Sequence, residues 1–150
     1  MPVTQTTPLN KQSGLGLIEI LVAVLVLGIG ILGVASTQVV SLQMNTQSQS
    51  RSQAVLLAED ILDRVRANPD TPANYALAAG SASGGTCNTS FVANGGTVAA
   101  NDIAAWDNSL ACLLPEAERT IAVAGNTVTV TIDWDQGDST LPPLVVRTEI

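Results

Sequence analysis

Histidine is absent from this chain, which removes the commonest general base and the commonest metal ligand together. Without it a serine triad cannot be assembled, and no other nucleophile–base–orienter set stands out. Lysine occurs once, at Lys11, and the six basic residues face thirteen scattered acidic ones. A nucleic-acid surface needs clustered Lys and Arg to neutralise phosphate, so this balance argues against one. Aromatic residues are nearly missing too, with only Tyr75, Phe91, Trp106 and Trp134. In a sequence that is 46% hydrophobic, aliphatic residues and alanines must therefore build the core. Cysteine appears twice, as Cys87 and Cys112. In a cytosolic chain these would be incidental thiols. If that part is exported they can pair and close a loop of about 26 residues, worth about 3.5 kcal/mol on the chain-entropy model.

Much of the apolar content sits in one run, Leu15 to Ala35, whose only charge is Glu19. At helical rise this run spans about 31 Å, the hydrocarbon thickness of a bilayer. A secretory signal peptide has a shorter apolar core that ends in a small-x-small site. Here the run is longer and a carboxylate lies inside it, so that reading is disfavoured. A plain signal anchor would fit the length but leaves Glu19 unexplained. A carboxylate in lipid costs a few kcal/mol and points to a function with a partner.

The surroundings of Glu19 read Lys11-Gln12-Ser13-Gly14-Leu15-Gly16-Leu17-Ile18-Glu19. This resembles the class III signal of type IV prepilins: a polar leader, a basic residue, a glycine cut by the prepilin peptidase, and a glutamate fifth in the mature chain. The resemblance makes Gly14 the last leader residue and Leu15 the new, N-methylated terminus. It makes Glu19 the carboxylate that neutralises the buried α-amine of Leu15 during assembly, which limits the desolvation penalty of both charges. Leu15 stands where Phe is usual, and Gly16 where Thr or Ser is usual; Gly16 loosens the first helical turn.

Gly28, Gly30 and Gly33 spell G-x-G-x-x-G, the outline of a dinucleotide-binding turn. That turn must join a strand to a helix with an acidic residue about 20 positions on, where this chain has Gln53. Inside a continuous apolar helix the glycines instead suit close helix packing or local bending. Nothing stops the helix through the Gln-, Ser- and Thr-rich stretch to Ser52. Beyond it Ala54, Leu57, Ala58, Ile61, Leu62 and Val65 line one face until Asn68-Pro69 ends the helix.

The end of that helix, Leu62-Asp63-Arg64-Val65-Arg66-Ala67-Asn68-Pro69, is similar to the same segment in type IV pilus modification proteins, the PilV family of minor pilins. Asp63, Arg64 and Arg66 read equally well as solvated helix charges. Residues 70–101 read as a long small-residue loop. Asn101 or Asp102 is the expected cap of a short helix running to about Leu114, with Trp106 and Leu110 on one face. A hairpin follows, Arg119–Ala124 and Thr127–Ile132 across Gly125-Asn126, in type II′ geometry. Its register pairs Val123 with Val128 and Ile121 with Val130. Leu144–Ile150 reads as a third strand. The acidic stretch Asp133 to Asp138 departs from a calcium loop, which wants glycine and glutamate where Asp138 and Leu144 stand. It reads as a solvated turn, and neither a metal nor a cofactor is expected.

The expected architecture is α+β: one long N-terminal helix carrying a small antiparallel sheet head. Residues 1–14 form a leader, 15–35 a membrane and filament-core helix, 36–67 its amphipathic continuation, and 68–150 a periplasmic head. The resemblance implies a non-enzymatic minor pilin that primes pilus assembly near the tip. Its implied partners are the prepilin peptidase, other minor and major pilins, and the inner-membrane assembly platform. It would be anchored once in the inner membrane and also reach the extracellular pilus. A minor pseudopilin of a type II secretion system shares the same leader chemistry and is the alternative.

Overall fold

The computed structural model describes residues 16–138 and 140–150, so Gly14 and Leu15 lie outside the described residues. Helix α1 runs Leu17–Ala67. It carries no proline, and it stops where Pro69 excludes the helical region at Asn68. The Asn68 N–H turns back onto the Val65 carbonyl at 3.0 Å and closes the last turn. The helix also ends with Arg64 and Arg66 in its last turn, where cations suit the dipole.

Two compact units divide the chain, one ending at Leu42 and the other running Gln43–Ile150. In the first, no described residue is buried. Leu17, Leu21, Leu25, Ile29 and Leu32 are each more than 60% exposed, so this helix has no core of its own. It is long and apolar enough to cross a membrane.

The second unit is α+β. After the end of α1 come a 3-10 turn at Pro72–Tyr75, strand β1 at Leu77–Ser81 and a second 3-10 turn at Ala82–Gly85. Helix α2 at Val98–Leu113 follows, then β2 at Glu118–Ala124, β3 at Thr127–Asp133 and β4 at Leu144–Glu149. The sheet has four strands in the order β1-β2-β3-β4, every neighbouring pair antiparallel. Val123 pairs with Val128 and Ile121 with Val130, the register that the alternating sequence dictates. Gly125 takes a φ of 60° while Asn126 does not, the sign pattern of a type II′ turn.

The apolar face of α1 from Ala54 to Val65 is buried against the sheet face made by Ile121, Val128, Val130 and Ile132. Trp106 and Leu110 of α2 and Tyr75 complete the core, each with no exposed surface. Trp106 donates its indole N–H to the carbonyl of Leu57 at 2.7 Å, so the large aromatic is fixed as well as buried.

Two expectations need correction. The stretch 70–101 is not one loop, because β1 extends the sheet by a strand beyond the hairpin. Its residues, Leu-Ala-Ala-Gly-Ser, have almost no strand preference, and pairing with β2 imposes the conformation. Helix α2 starts earlier than Asn101. Thr97 caps it, its hydroxyl accepting the Ala100 N–H at 3.1 Å, so neither Asn101 nor Asp102 is needed there.

Cys87 and Cys112 are joined as a disulfide, their Cα atoms 4.6 Å apart. The bond ties the loop before α2 to that helix's last turn. Beside it, Asn88 and Asn108 exchange two hydrogen bonds of 2.9 and 3.0 Å. Replacing both cysteines by serine should lower the unfolding free energy by about 3.5 kcal/mol, since the denatured chain regains the entropy of an open loop. Urea unfolding of the oxidised protein and the double variant measures this. Equal midpoints with equal slopes would show that the bond constrains nothing.

Candidate functional site

Glu19 occupies the first turn of α1. Its own N–H donates to the Gly16 carbonyl at 2.8 Å, so the helical turn closes at once behind Gly16. The Glu19 carboxylate is exposed and enters no ion pair among the described residues. It stands on a helix whose neighbouring side chains, Ile18 and Ile20, are also exposed. Gly14 and Leu15, the expected scissile pair, cannot be placed because they lie outside the described residues.

Further along, Val26, Leu27, Gly30, Ile31, Val34, Ala35 and Gln38 line a shallow apolar groove of about 590 Å³. A Cβ at Gly28, Gly30 or Gly33 would meet nothing within 4 Å, so no packing within this chain demands glycine there. The glycines lie well inside α1, with no strand before them among the described residues, which disposes of the dinucleotide outline. What they offer is a low surface on which a second helix can approach closely.

In the head the end of α1 is gripped by a polar cluster. Arg64 reaches Asp60 at 3.1 Å and Asp102 of α2 at 3.1 Å. The Tyr75 hydroxyl lies 2.6 Å from the other oxygen of Asp102 and 3.3 Å from the Arg64 carbonyl. It has one proton, and the shorter, charge-assisted bond to Asp102 takes it. Asn68 then donates to that hydroxyl at 2.8 Å, which fills its acceptor side. Burial first, and then the Asp102 bond and charge, push the Tyr75 phenol up to about 12. The guanidinium of Arg64 is held above its usual range, first by its hydrogen bond to Asp60.

The Asp-Arg-x-Arg-Ala-Asn-Pro segment is thus divided in role. Arg64 and Asn68 belong to the cluster and fix the helix end. Asp63 is a solvated charge whose 2.6 Å pair with Arg66 is exposed and contributes little. Arg66 also donates to Thr148 of β4 at 2.9 Å. The joint role of Tyr75 and Asp102 escaped the sequence reading, which offered Asp102 only as a helix cap. Their one visible signal is that the chain's only tyrosine stands just past a helix-ending proline.

A second ion pair, Arg119 with Asp107 at 2.5 Å, is nearly enclosed and ties β2 to α2. Arg119 also donates to the Gly80 carbonyl at 3.1 Å, and Asp107 accepts the Ser83 N–H at 2.7 Å. Both partners of the pair are therefore hydrogen-bonded, which a buried charge requires.

At the β2–β3 end an open cleft of about 560 Å³ is lined by Glu116, Glu118, Asp133, Asp135 and Asp138, with Trp134 and Gln136. Asp135 accepts the Gly137 N–H, and Asp138 accepts both the backbone N–H and the hydroxyl of Thr140. Those bonds hold the Asp138 carboxyl below the usual carboxylate range. Asp135 and Asp138 are thus engaged in their own turns, and among the described residues no three ligating groups converge.

Two family models match consecutive stretches of the chain. A model described as the prokaryotic N-terminal methylation motif matches residues 9–35. One described as type IV pilin Tt1218 matches residues 36–109, from the middle of α1 through most of α2. Neither the curated proteins nor the solved structures gave a match.

The Tyr75 cluster carries a pH dependence of definite sign. The buried phenol ionises near 12 against about 10 in the unfolded chain, so its contribution is complete below pH 10. Between pH 10 and 12 the unfolded state ionises first, and stability should fall by up to roughly 3 kcal/mol. Tyr75→Phe should be less stable at neutral pH yet lose less on raising the pH over this range. Urea unfolding at several alkaline pH values, with phenolate absorbance reporting this single tyrosine, checks it. Parallel pH curves for wild type and variant would refute the assignment.

Proposed function

The chain belongs to the type IV pilins, and from that premise we propose that it is a minor pilin of the PilV kind that primes pilus assembly and sits at or near the tip. The family is structural and carries the prepilin processing motif, so its members act by assembling rather than by catalysis. What supports the reading most is the continuity of the methylation motif with a first part of α1, to Leu42, that buries none of its apolar surface. Such a helix needs lipid before assembly and other helices after it.

In this reading the prepilin peptidase cuts between Gly14 and Leu15 and methylates the new amine. The apolar first part of α1 anchors the subunit once in the inner membrane, with the head, residues 68–150, on the periplasmic side. During assembly the Leu15 amine leaves water and lipid headgroups for the filament interior. Glu19, four residues on in the sequence, supplies the opposite charge from the same or a neighbouring subunit. The pair sets the axial register of the incoming subunit. Cys87–Cys112 would form on export, where disulfides persist.

Glu19→Ala separates a filament subunit from a merely anchored protein. If the carboxylate only tolerates the membrane, its removal relieves a desolvation cost and changes nothing else. If it neutralises the amine, the variant leaves a buried charge unpaired, at a cost of roughly 3–5 kcal/mol. The expected outcome is normal processing to a Leu15 terminus, by N-terminal mass analysis of membranes, with recovery in sheared filaments sharply reduced. Glu19→Asp should fall between. Normal recovery of processed Glu19→Ala would refute the pairing. Deletion of the gene should abolish or reduce piliation and leave type II secretion intact; the reverse pattern would assign the chain to a secretion pseudopilus.

A further inference from the structure

We propose that Asn94 is a site of spontaneous deamidation that the fold holds in check through Asn101, whose side chain masks the backbone nitrogen that would attack it. Asn94 is followed by Gly95, and both are exposed in the segment between Cys87 and α2. With no side chain on Gly95, little hinders its nitrogen from approaching the Asn94 side-chain carbonyl carbon. The reaction needs no enzyme. The Gly95 nitrogen loses its proton and bonds to Cγ of Asn94, ammonia leaves, and a five-membered succinimide forms. Water then opens the ring at one carbonyl or the other and leaves aspartate or isoaspartate.

Here that nitrogen is engaged. The Gly95 N–H donates to Oδ1 of Asn101 at 2.5 Å. The acceptor is itself fixed, because Asn101 lies in the first turn of α2 and its own N–H donates to the Thr97 carbonyl at 3.0 Å. The approach is close enough that a Cβ at residue 95 would stand 3.3 Å from both Ala100 Cβ and Asn101 Oδ1. The glycine that makes the Asn94 bond labile is thus also what lets the lock close. Attack requires the amide to give up the proton it shares with Asn101 and to swing away from α2. The Cys87–Cys112 bond closes the same loop and limits how far it can swing.

Opening the lock has a permanent consequence. Deamidation adds a carboxylate, and the isoaspartate form also inserts a methylene into the backbone, so the loop can no longer return to the Asn101 acceptor in register. That such marks would accumulate on exported subunits rests on the function proposed above. The lock itself does not.

The test uses the full-length processed protein, oxidised and held in detergent in mildly alkaline buffer. Peptide mapping follows the mass increment at Asn94, with a synthetic Val92–Val98 peptide as the unrestrained reference. Wild type should deamidate more slowly than the peptide. Asn101→Ala should be faster than wild type by roughly two- to tenfold, the rate equivalent of one ordinary hydrogen bond. Asn101→Asp keeps an acceptor oxygen at the same place and should remain slow. Amide exchange at Gly95, protected in wild type and released in Asn101→Ala, gives a second readout in the folded protein. Deamidation of Asn101→Ala at the wild-type rate overturns the proposal. So does an unprotected Gly95 amide in wild type, whichever variants fold.

Discussion

The constraint on which this protein depends is a helix with nothing in its own chain to cover it. From Leu17 to Leu42 no residue is buried, although the stretch is mostly Leu, Ile, Val, Ala and Gly. Water tolerates no such surface, at about 25 cal/mol for each Å² of apolar area left wet. The helix therefore needs an apolar environment from outside its own chain. That requirement fits a helix in which no charge follows Glu19 until Arg51. It also separates the two halves of α1 by composition. The first half belongs to whatever surrounds the molecule, and the second, from Ala54, belongs to the head.

The head is organised around holding that second half. Helix α1 contributes six buried residues, but they offer only alanines and aliphatics, which fix distance better than orientation. Orientation comes from directional bonds. Trp106 bonds the Leu57 carbonyl near the start of the buried face, and the Arg64–Asp102–Tyr75–Asn68 cluster grips the final turn. Each polar group in the cluster has a partner, so none carries the cost of an unmade hydrogen bond in a half-dry site. Arg119 and Asp107 extend the same logic from α2 to β2.

How much of this was legible depended on whether the signal was local. Pro69 ends α1 by sterics alone, and the end came where the sequence placed it. The hairpin register followed from alternation and a Gly-Asn turn, both visible in a dozen residues. Strand β1 was not visible, because Leu-Ala-Ala-Gly-Ser has no preference of its own and pairs only since β2 offers an edge. The Thr97 cap was missed because Asn101 and Asp102 are equally good caps in isolation. Both are diverted, Asn101 to Gly95 and Asp102 to Arg64 and Tyr75. Tertiary contacts had claimed the residues that local rules would have used. Likewise Arg64 looked like a solvated charge because its partner Asp102 is 38 residues away.

Charge then decides which surface can drive association. The full chain carries a net charge of −7. Of its basic residues, Arg64, Arg66 and Arg119 are already paired within the head. Meanwhile Glu116, Glu118, Asp133, Asp135 and Asp138 gather at one cleft with no basic residue among its lining. Two such heads repel one another at short range, and physiological salt screens that repulsion only beyond about 8 Å. If copies associate as proposed above, the attraction has to come from uncharged surface, which the exposed half of α1 supplies. A helix of that kind associates without electrostatic guidance and so without register, since one apolar turn resembles the next. In the function proposed above, the single carboxylate in its first turn is what breaks this degeneracy. On that proposal a charge whose partner stands at one position penalises every misalignment, which offsets its cost in lipid.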